Sequence, residues 1–423
     1  MTDDRKITEG LLDFIAKSPS AFHVIANMES ELLAEGFEYL PENQAWEIRA
    51  GGSYYTKRND SSLIAWKMPE GEAKGFHIAA AHSDSPTFLL KEQPEKKGEY
   101  YVRLNIEKYG GMLLSTWLDR PLSVAGRIVV QEADGVKSRL VNIDRDLLVI
   151  PNLAIHMNRT ANNGYEYKVS KDMLPIYAEK EGKSLLNLVA DETGVAEEDI
   201  LGQELYLYVR ETGHIIGRDE EWMMSPRLDD VQCVYSILEG IKDVTPKQYI
   251  PMAAVFHNEE VGSSTRQGAD STFLSDVLHW ISEAVGESYG TCQRKIADSF
   301  LISADNAHGV HPNHPDKADL TNRPKLNGGV VIKFHGNQKY TSDAMSAGYL
   351  RLLCKEAQIP SQTYYNHSDI LGGSTLGNIV TSHVSIPSAD IGAAQLAMHS
   401  AMETAGTSDT GYLLALMKQY FAK

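Results

Sequence analysis

The chain reads as an α/β protein: a three-layer α/β/α domain with a mostly parallel central sheet, interrupted by a β-rich insertion. Three observations predict it. First, several short apolar runs stop abruptly at a polar turn, the pattern of strands buried on both faces. They include Phe76-His-Ile-Ala-Ala-Ala81, Pro251-Met-Ala-Ala-Val-Phe256, Phe300-Leu-Ile-Ser-Ala304 and Val384-Ser-Ile-Pro-Ser-Ala389. Second, from Ser225 onward such runs alternate with helical periods, as in a parallel sheet covered by helices. Third, residues 88–219 carry a different, period-two texture.

Along the chain, Ile7, Leu11, Leu12, Ile15 and then Val24, Ile25, Met28, Leu32 and Leu33 mark two helices. Ser18-Pro-Ser20 breaks them, with Ser20 placed as an N-cap. Strands follow at 63–67 and 76–81. Within the insertion, Tyr101–Ile106, Leu122–Val130 and Leu147–Ile150 read as strands, with a turn at Ala133-Asp-Gly135. A polar helical piece covers 178–200. A further helix opens at Asp229 and carries Val231, Val234, Ile237 and Leu238. Because His82 belongs chemically with the later motifs, residues 1–87 and 220–423 form one domain, and 88–219 is inserted into it.

Composition narrows the class. A chain of 423 residues is long enough for two or three domains with a substantial core. Its net charge of −17, uncompensated by any basic run, excludes nucleic acid as a partner. No stretch approaches the ~20 apolar residues of a transmembrane helix, and the segment Met1–Glu9 lacks the apolar core of a signal peptide. Cys233, Cys292 and Cys354 are scattered and odd in number, which points to buried thiols in a reducing cytoplasm.

The apolar runs end on metal-binding side chains. His82-Ser-Asp84, His257-Asn-Glu-Glu-Val-Gly262, Asp305 and Met398-His399-Ser400 follow them, and Ser225-Pro-Arg-Leu-Asp-Asp230 opens a helix. Side chains just beyond the carboxyl ends of parallel strands gather in one crevice. Imidazole and carboxylate ligands from His82, Asp229, Glu260, Asp305 and His399 suit zinc, or manganese or cobalt, and two ions are expected. A pair of ions ~3.5–4 Å apart needs a bridging carboxylate, for which Asp229 is the best placed and Asp230 the weaker candidate. Asp84 is positioned to accept the second N–H of His82. Adjacent residues of an extended chain point in opposite directions, so Glu259 is left as general base while Glu260 ligates. Each motif alone is weak: an isolated Glu-Glu is usually a solvated turn, and an isolated His399 a satisfied core histidine. Their joint recurrence at strand ends is what points to a metal hydrolase.

At these residues the chain resembles the aspartyl aminopeptidase family. The resemblance runs from Ser18-Pro-Ser-Ala-Phe-His23 through Tyr109-Gly-Gly111, Trp117-Leu-Asp-Arg120 and Asn152-Leu-Ala-Ile-His156 to Gln395-Leu-Ala-Met-His-Ser400. It implies a cocatalytic di-zinc exopeptidase acting on peptides with a free N-terminus. The five ligands and base would be those named above, and His308, Lys333, Tyr340 and His156 would contact substrate. It also implies a homododecamer built from dimers, in which the β-rich domain serves dimerisation and His156 completes a neighbour's site. Residues 365–377 depart from the pattern associated with strict acidic specificity, so a preference for N-terminal Asp or Glu stands beside a neutral, Leu-type preference. A di-metal deacylase or dipeptidase is the sibling reading. A non-catalytic assembly protein is disfavoured by the intact ligand set, and no Gly-x-Ser-x-Gly elbow offers a serine mechanism.

Overall fold

The computed structural model describes residues 3–423 apart from Asp134. The middle of the expected Ala133-Asp-Gly135 turn therefore lies outside the described residues, as do Met1 and Thr2. The largest sheet runs in the order Glu38–Tyr39, Ser53–Arg58, Ser62–Lys67, Tyr249–Phe256, Gly75–His82, Phe300–Ala304, Ser388–Gly392, Val330–Phe334 and Ser361–Tyr365. Its four middle strands, Tyr249–Phe256 to Ser388–Gly392, are all parallel. Antiparallel pairs join Tyr249–Phe256 to Ser62–Lys67 and Ser388–Gly392 to Val330–Phe334. The sheet is thus mixed, with a parallel centre.

The apolar runs are unbroken because both faces of that centre are covered. Ala79, Ala81, Val255, Ile302 and Ala304 point into one core, shared with helices Asp3–Lys17, Ala21–Ala34, Leu228–Lys242, Ala344–Glu356 and Asp409–Phe421. The alternate residues Ile78, Ala80, Ala254, Phe256 and Leu301 point into the other, against Phe273–Ala284, Tyr289–Ala297 and Leu376–His383. Alternation of side chains along a strand makes this division obligatory. Each fully buried Ile, Leu or Phe contributes roughly 1.5–3 kcal/mol relative to exposure.

Residues 87–209 supply a separate antiparallel sheet, ordered Gly135–Asn142, Leu122–Glu132, Ile200–Val209, Thr87–Lys97, Tyr101–Tyr109 and Ile176–Glu179. It has its own core of Phe88, Leu104, Ile128, Leu205 and Leu207, closed by Leu185 and Val189 of helix Leu185–Thr193. A third, small sheet joins His214–Ile216, Trp222–Ser225, Glu403–Gly406, Ala394–Leu396 and Ala307–His308.

Three local expectations are corrected. Leu147–Ile150 makes only isolated bridges, Leu148 to Leu122 and Val149 to Ile176, rather than a strand. The run at 384–389 becomes a strand only at Ser388–Gly392, after Pro387, which has no N–H to offer a ladder. Ser20 occupies the N-cap position of Ala21–Ala34, but its hydroxyl bonds to His23 Nδ1 at 2.8 Å instead of capping the helix.

His77 ties the last helix to the middle of the sheet. Its ring stacks between Tyr249 and Tyr420, at centroid distances of 4.0 and 4.5 Å, and its Nδ1 is 3.0 Å from the Tyr420 carbonyl. Burial pushes its pKa down to about 4, and burial does the same to His23. A histidine whose folded pKa is depressed contributes stability that is complete above its unfolded pKa of 6.5 and is lost as pH falls through about 4. A shift of this size corresponds to about 3 kcal/mol per histidine. Unfolding by urea is therefore expected to become markedly easier between those two pH values, and His77→Gln should flatten that dependence. An unchanged slope in the variant would show that His77 is not a source of the acid sensitivity.

Candidate active site

The parallel centre decides where the chemistry collects. Strand Gly75–His82 ends on His82, and its neighbour Tyr249–Phe256 leads into the 3₁₀ turn Glu259–Val261. Phe300–Ala304 delivers Asp305 from the other side. Asp229 and Asp230 lie at the start of helix Leu228–Lys242, where their backbone is not yet helical. His399 arrives on the connection between Ala394–Leu396 and Glu403–Gly406.

One ligand atom each from His82, Asp229, Asp230 and Asp305 falls within 4.8 Å of the others. His82, Glu259 and Glu260 form a second such group, and Asp229, Glu260 and His399 a third. Asp229 therefore faces two ways. Its Oδ1 is 3.4 Å from His82 Nε2, and its Oδ2 is 3.5 Å from His399 Nε2. His399 Nε2 is also 3.4 Å from Glu260 Oε2. All five ligands expected from the sequence meet here, together with Asp230.

The site fits divalent cations. Asp229 Oδ1, Asp230 Oδ1 and Glu260 Oε1 are buried without a hydrogen-bond partner, which is costly unless a cation satisfies them. Without that charge, burial and mutual repulsion act on the acids. Glu259 is pushed up to about 8, first by burial and then by the carboxylates of Asp305, Asp84 and Asp229. Burial, followed by the Asp229 carboxylate, raises Glu260 well above its ordinary range. The donor set of imidazole nitrogens and carboxylate oxygens is that of zinc.

The supporting residues explain the local sequence. His82 Nδ1 is 3.1 Å from the backbone carbonyl of Asp84 but 3.6 Å from its carboxylate. That carboxylate accepts instead from the Tyr109 hydroxyl at 2.6 Å and from the backbone N–H groups of Glu259 and Glu260, each at 3.2 Å. Asp84 thus holds the two-glutamate turn rather than the ring of His82. Asn258 enters that turn at φ +65°, and His399 also has φ +65°. Positive φ at non-glycine residues stores strain that the surroundings must hold in place. At Gly110, with φ +77°, an added Cβ would lie 3.1 Å from that of Glu260. The next residue, Gly111, accepts from His399 Nδ1 through its carbonyl.

Glu403 was missed by sequence reasoning. It is buried and accepts from the backbone N–H of Asp229 at 2.9 Å and of His399 at 2.7 Å, so one carboxylate fixes the backbone of two candidate ligands. Its only signal was its place four residues after His399.

The expected substrate contacts divide. Tyr340 is buried, with Lys333 Nζ 5.0 Å from its ring centroid. His308 opens onto a cavity of about 510 Å³ lined also by His311, His314, Lys317 and His367. His156 is exposed on the segment after Ile150 and lies outside these ligand groups. Lys333 has a task that the resemblance did not assign. Its buried Nζ donates to the carbonyls of Asp305 and Asn306 at 2.7 and 3.2 Å, and lies 3.7 Å from Asp305 Oδ1. Lys333→Met should then depress cleavage of all substrates alike and reduce bound metal, because two buried carbonyls lose their donor at ~1–3 kcal/mol each. A selective loss of acidic substrates with full metal content would return Lys333 to substrate recognition.

Comparison with known proteins supports this architecture. The sequence profile described as aminopeptidase I zinc metalloprotease (M18) matches residues 14–421. A probable M18 family aminopeptidase 2 of Clostridium novyi is 43% identical over 431 residues, covering 100% of both chains. Another, from Pseudomonas aeruginosa, is 38% identical, with 99% of this chain and 98% of the relative covered. Among solved structures, that of the Ape4 and Nbr1 complex matches with a TM-score of 0.96 at 33% identity, covering 99% of this chain and 86% of that one. The mApe1 dodecamer of S. cerevisiae matches with a TM-score of 0.87 at 26% identity, covering 99% and 96%. With a family match over nearly its whole length, the chain belongs to the M18 zinc metalloproteases, the aspartyl aminopeptidase family.

Proposed function

We propose that the chain removes single N-terminal residues from peptides with the help of two zinc ions, with manganese or cobalt as substitutes. The observation that carries this reading is the position of Asp229, one oxygen toward His82 and the other toward His399 and Glu260. On this reading Asp229 would help to hold both ions. His82 and Asp305 belong to one side, and Glu260 and His399 to the other. When bound, the ions acidify a water toward pKa ~7 and polarise the scissile carbonyl.

The chain does the rest. Glu259, in the same turn as Glu260, accepts the proton of the attacking water and returns it to the departing amine nitrogen. Asp84 fixes that turn, and Glu403 fixes Asp229 and His399. The expected acidic preference draws support from the histidine- and lysine-lined cavity beside His308, since cationic donors favour a side-chain carboxylate. A neutral preference is the second reading, because Lys333 is already occupied by backbone carbonyls.

We further infer that residues 88–219 act as a dimerisation domain and that the chain assembles into a homododecamer, as its relative in the mApe1 dodecamer does. The exposed His156 would then reach a neighbour's site. Leu153, Ile155 and Met157 on the same segment are also exposed and would be covered by such an assembly. The three free, buried cysteines support a reducing compartment, the cytoplasm. No helix among the described residues is long and apolar enough to cross a membrane.

One experiment tests the reading. Asp-, Glu- and Leu-aminoacyl substrates should be hydrolysed by the zinc-loaded protein and not after chelation, with the acidic pair fastest. Faster release of Leu would select the neutral reading, and hydrolysis of only N-acylated substrates would replace the aminopeptidase with a deacylase. An active monomer in light scattering would remove the assembly.

A further inference from the structure

A second cavity, of about 50 Å³, lies behind the metal ligands, where the antiparallel sheet meets the catalytic domain. Trp117, Tyr206 and Tyr208 line it from the sheet side, and Arg227 and His257 from the other. Two of these residues bring N–H groups that nothing in the protein satisfies. The Nε of Arg227 is buried without a partner, and so is the Nε1 of Trp117, a residue only 4% exposed. Arg227 spends one N–H on the carbonyl of Ile15 at 3.1 Å and makes no ion pair among the described residues. His257, 3% exposed, adds an unpartnered Nδ1 to the same wall.

The carboxylates that share the wall are engaged elsewhere. Asp84 takes Tyr109 and the Glu259-Glu260 turn, Glu403 takes the N–H groups of Asp229 and His399 and acts on the Arg227 charge without an ion pair, and Asp229 turns to His82 and His399. A permanent cation and an indole N–H lining one cavity call for an acceptor, and a charged acceptor is the stronger one. The space has room for a few water-sized groups.

We propose that this cavity is a binding site for one small inorganic anion of chloride size, held between Arg227 and Trp117. The anion joins the helix that begins at Leu228 and carries Asp229 to the antiparallel sheet, so it braces the metal site from behind.

Zinc-loaded protein is melted in sodium chloride and in sodium gluconate at equal ionic strength, and crystals are soaked in bromide. The melting temperature is expected to rise with chloride and saturate, with no such rise in gluconate, and an anomalous bromide peak should lie between Arg227 and Trp117. Trp117→Phe keeps the ring that packs edge-on against Phe88 but removes the N–H. It should raise the half-saturating chloride concentration roughly tenfold. Arg227→Gln should abolish the chloride effect. Equal melting in the two salts would overturn the proposal, as would a bromide peak confined to the metal ligands. So would a chloride effect that both variants leave unchanged.

Discussion

Asp229→Asn is expected to abolish peptide cleavage, by at least ~10³-fold, and to strip the protein of at least one of the two ions proposed for it. The side chain is almost fully buried and stands between two ligand groups, and the backbone N–H of Asp229 is clamped by Glu403. An asparagine has nearly the same shape, so the fold should survive. It brings one oxygen and an NH₂, however, and the NH₂ would point a donor at a position that needs a negative ligand. The neighbouring acids make this severe. Asp230, Glu260 and Asp305 are all held above their ordinary range, first by burial and then by one another's charge or that of Asp229. Cations offset that repulsion, and losing the shared ligand removes their hold. Metal analysis checks the claim directly: two ions per chain in the wild type, one or none in the variant. The same logic predicts that chelation of the wild type lowers its melting temperature, since ions held by a folded ligand cluster stabilise the native state over the unfolded chain. Full metal content in Asp229→Asn would exclude a shared ligand, whatever the activity.

How much of this could be read in advance follows from what a one-dimensional pattern encodes. The strand centre was legible because burial on both faces leaves unbroken apolar runs, and the candidate ligands were legible because they sit at the ends of those runs. His82, Asp305 and the Glu259-Glu260 pair share that grammar. Asp229 was found through the helix period that follows it. Glu403 was not, because it ligates nothing. It serves two backbone N–H groups, a role set by three-dimensional approach between segments some 170 residues apart. Asp84 illustrates a subtler limit. Its distance in sequence from His82 suggested a carboxylate–imidazole contact, whereas its backbone meets the ring and its side chain turns to the glutamate loop. The small third sheet escaped because its strands are three or four residues or shorter, below the length at which period two stands out. The Leu147–Ile150 run misled for the converse reason: Leu148 and Ile150 pack inward while the run makes only isolated bridges instead of a ladder.

The two glutamates should separate cleanly when each is replaced by glutamine. Glu259→Gln is expected to retain both ions and lose about 10²–10⁴-fold in turnover, the range for removing a positioned general base. Glu260→Gln should lose metal as well, and with it the binding of substrate. The geometry behind this difference is that Glu260 shares ligand groups with both histidines, whereas Glu259 appears only beside His82. Glu260 Oε2 is 3.4 Å from His399 Nε2, and its Oε1 is buried without a partner. Both backbone N–H groups donate to Asp84, so neither substitution disturbs the turn itself. Glutamine at 259 keeps the volume and an acceptor oxygen but cannot take up the proton that the attacking water must lose. A fall in kcat with little change in KM is thus expected for Glu259→Gln, and added zinc should not restore it. Glu260→Gln should recover part of its activity at high zinc, because weakened binding is answered by concentration. If zinc rescues both variants equally, or if both lose the same ions, the division of labour between base and ligand is wrong.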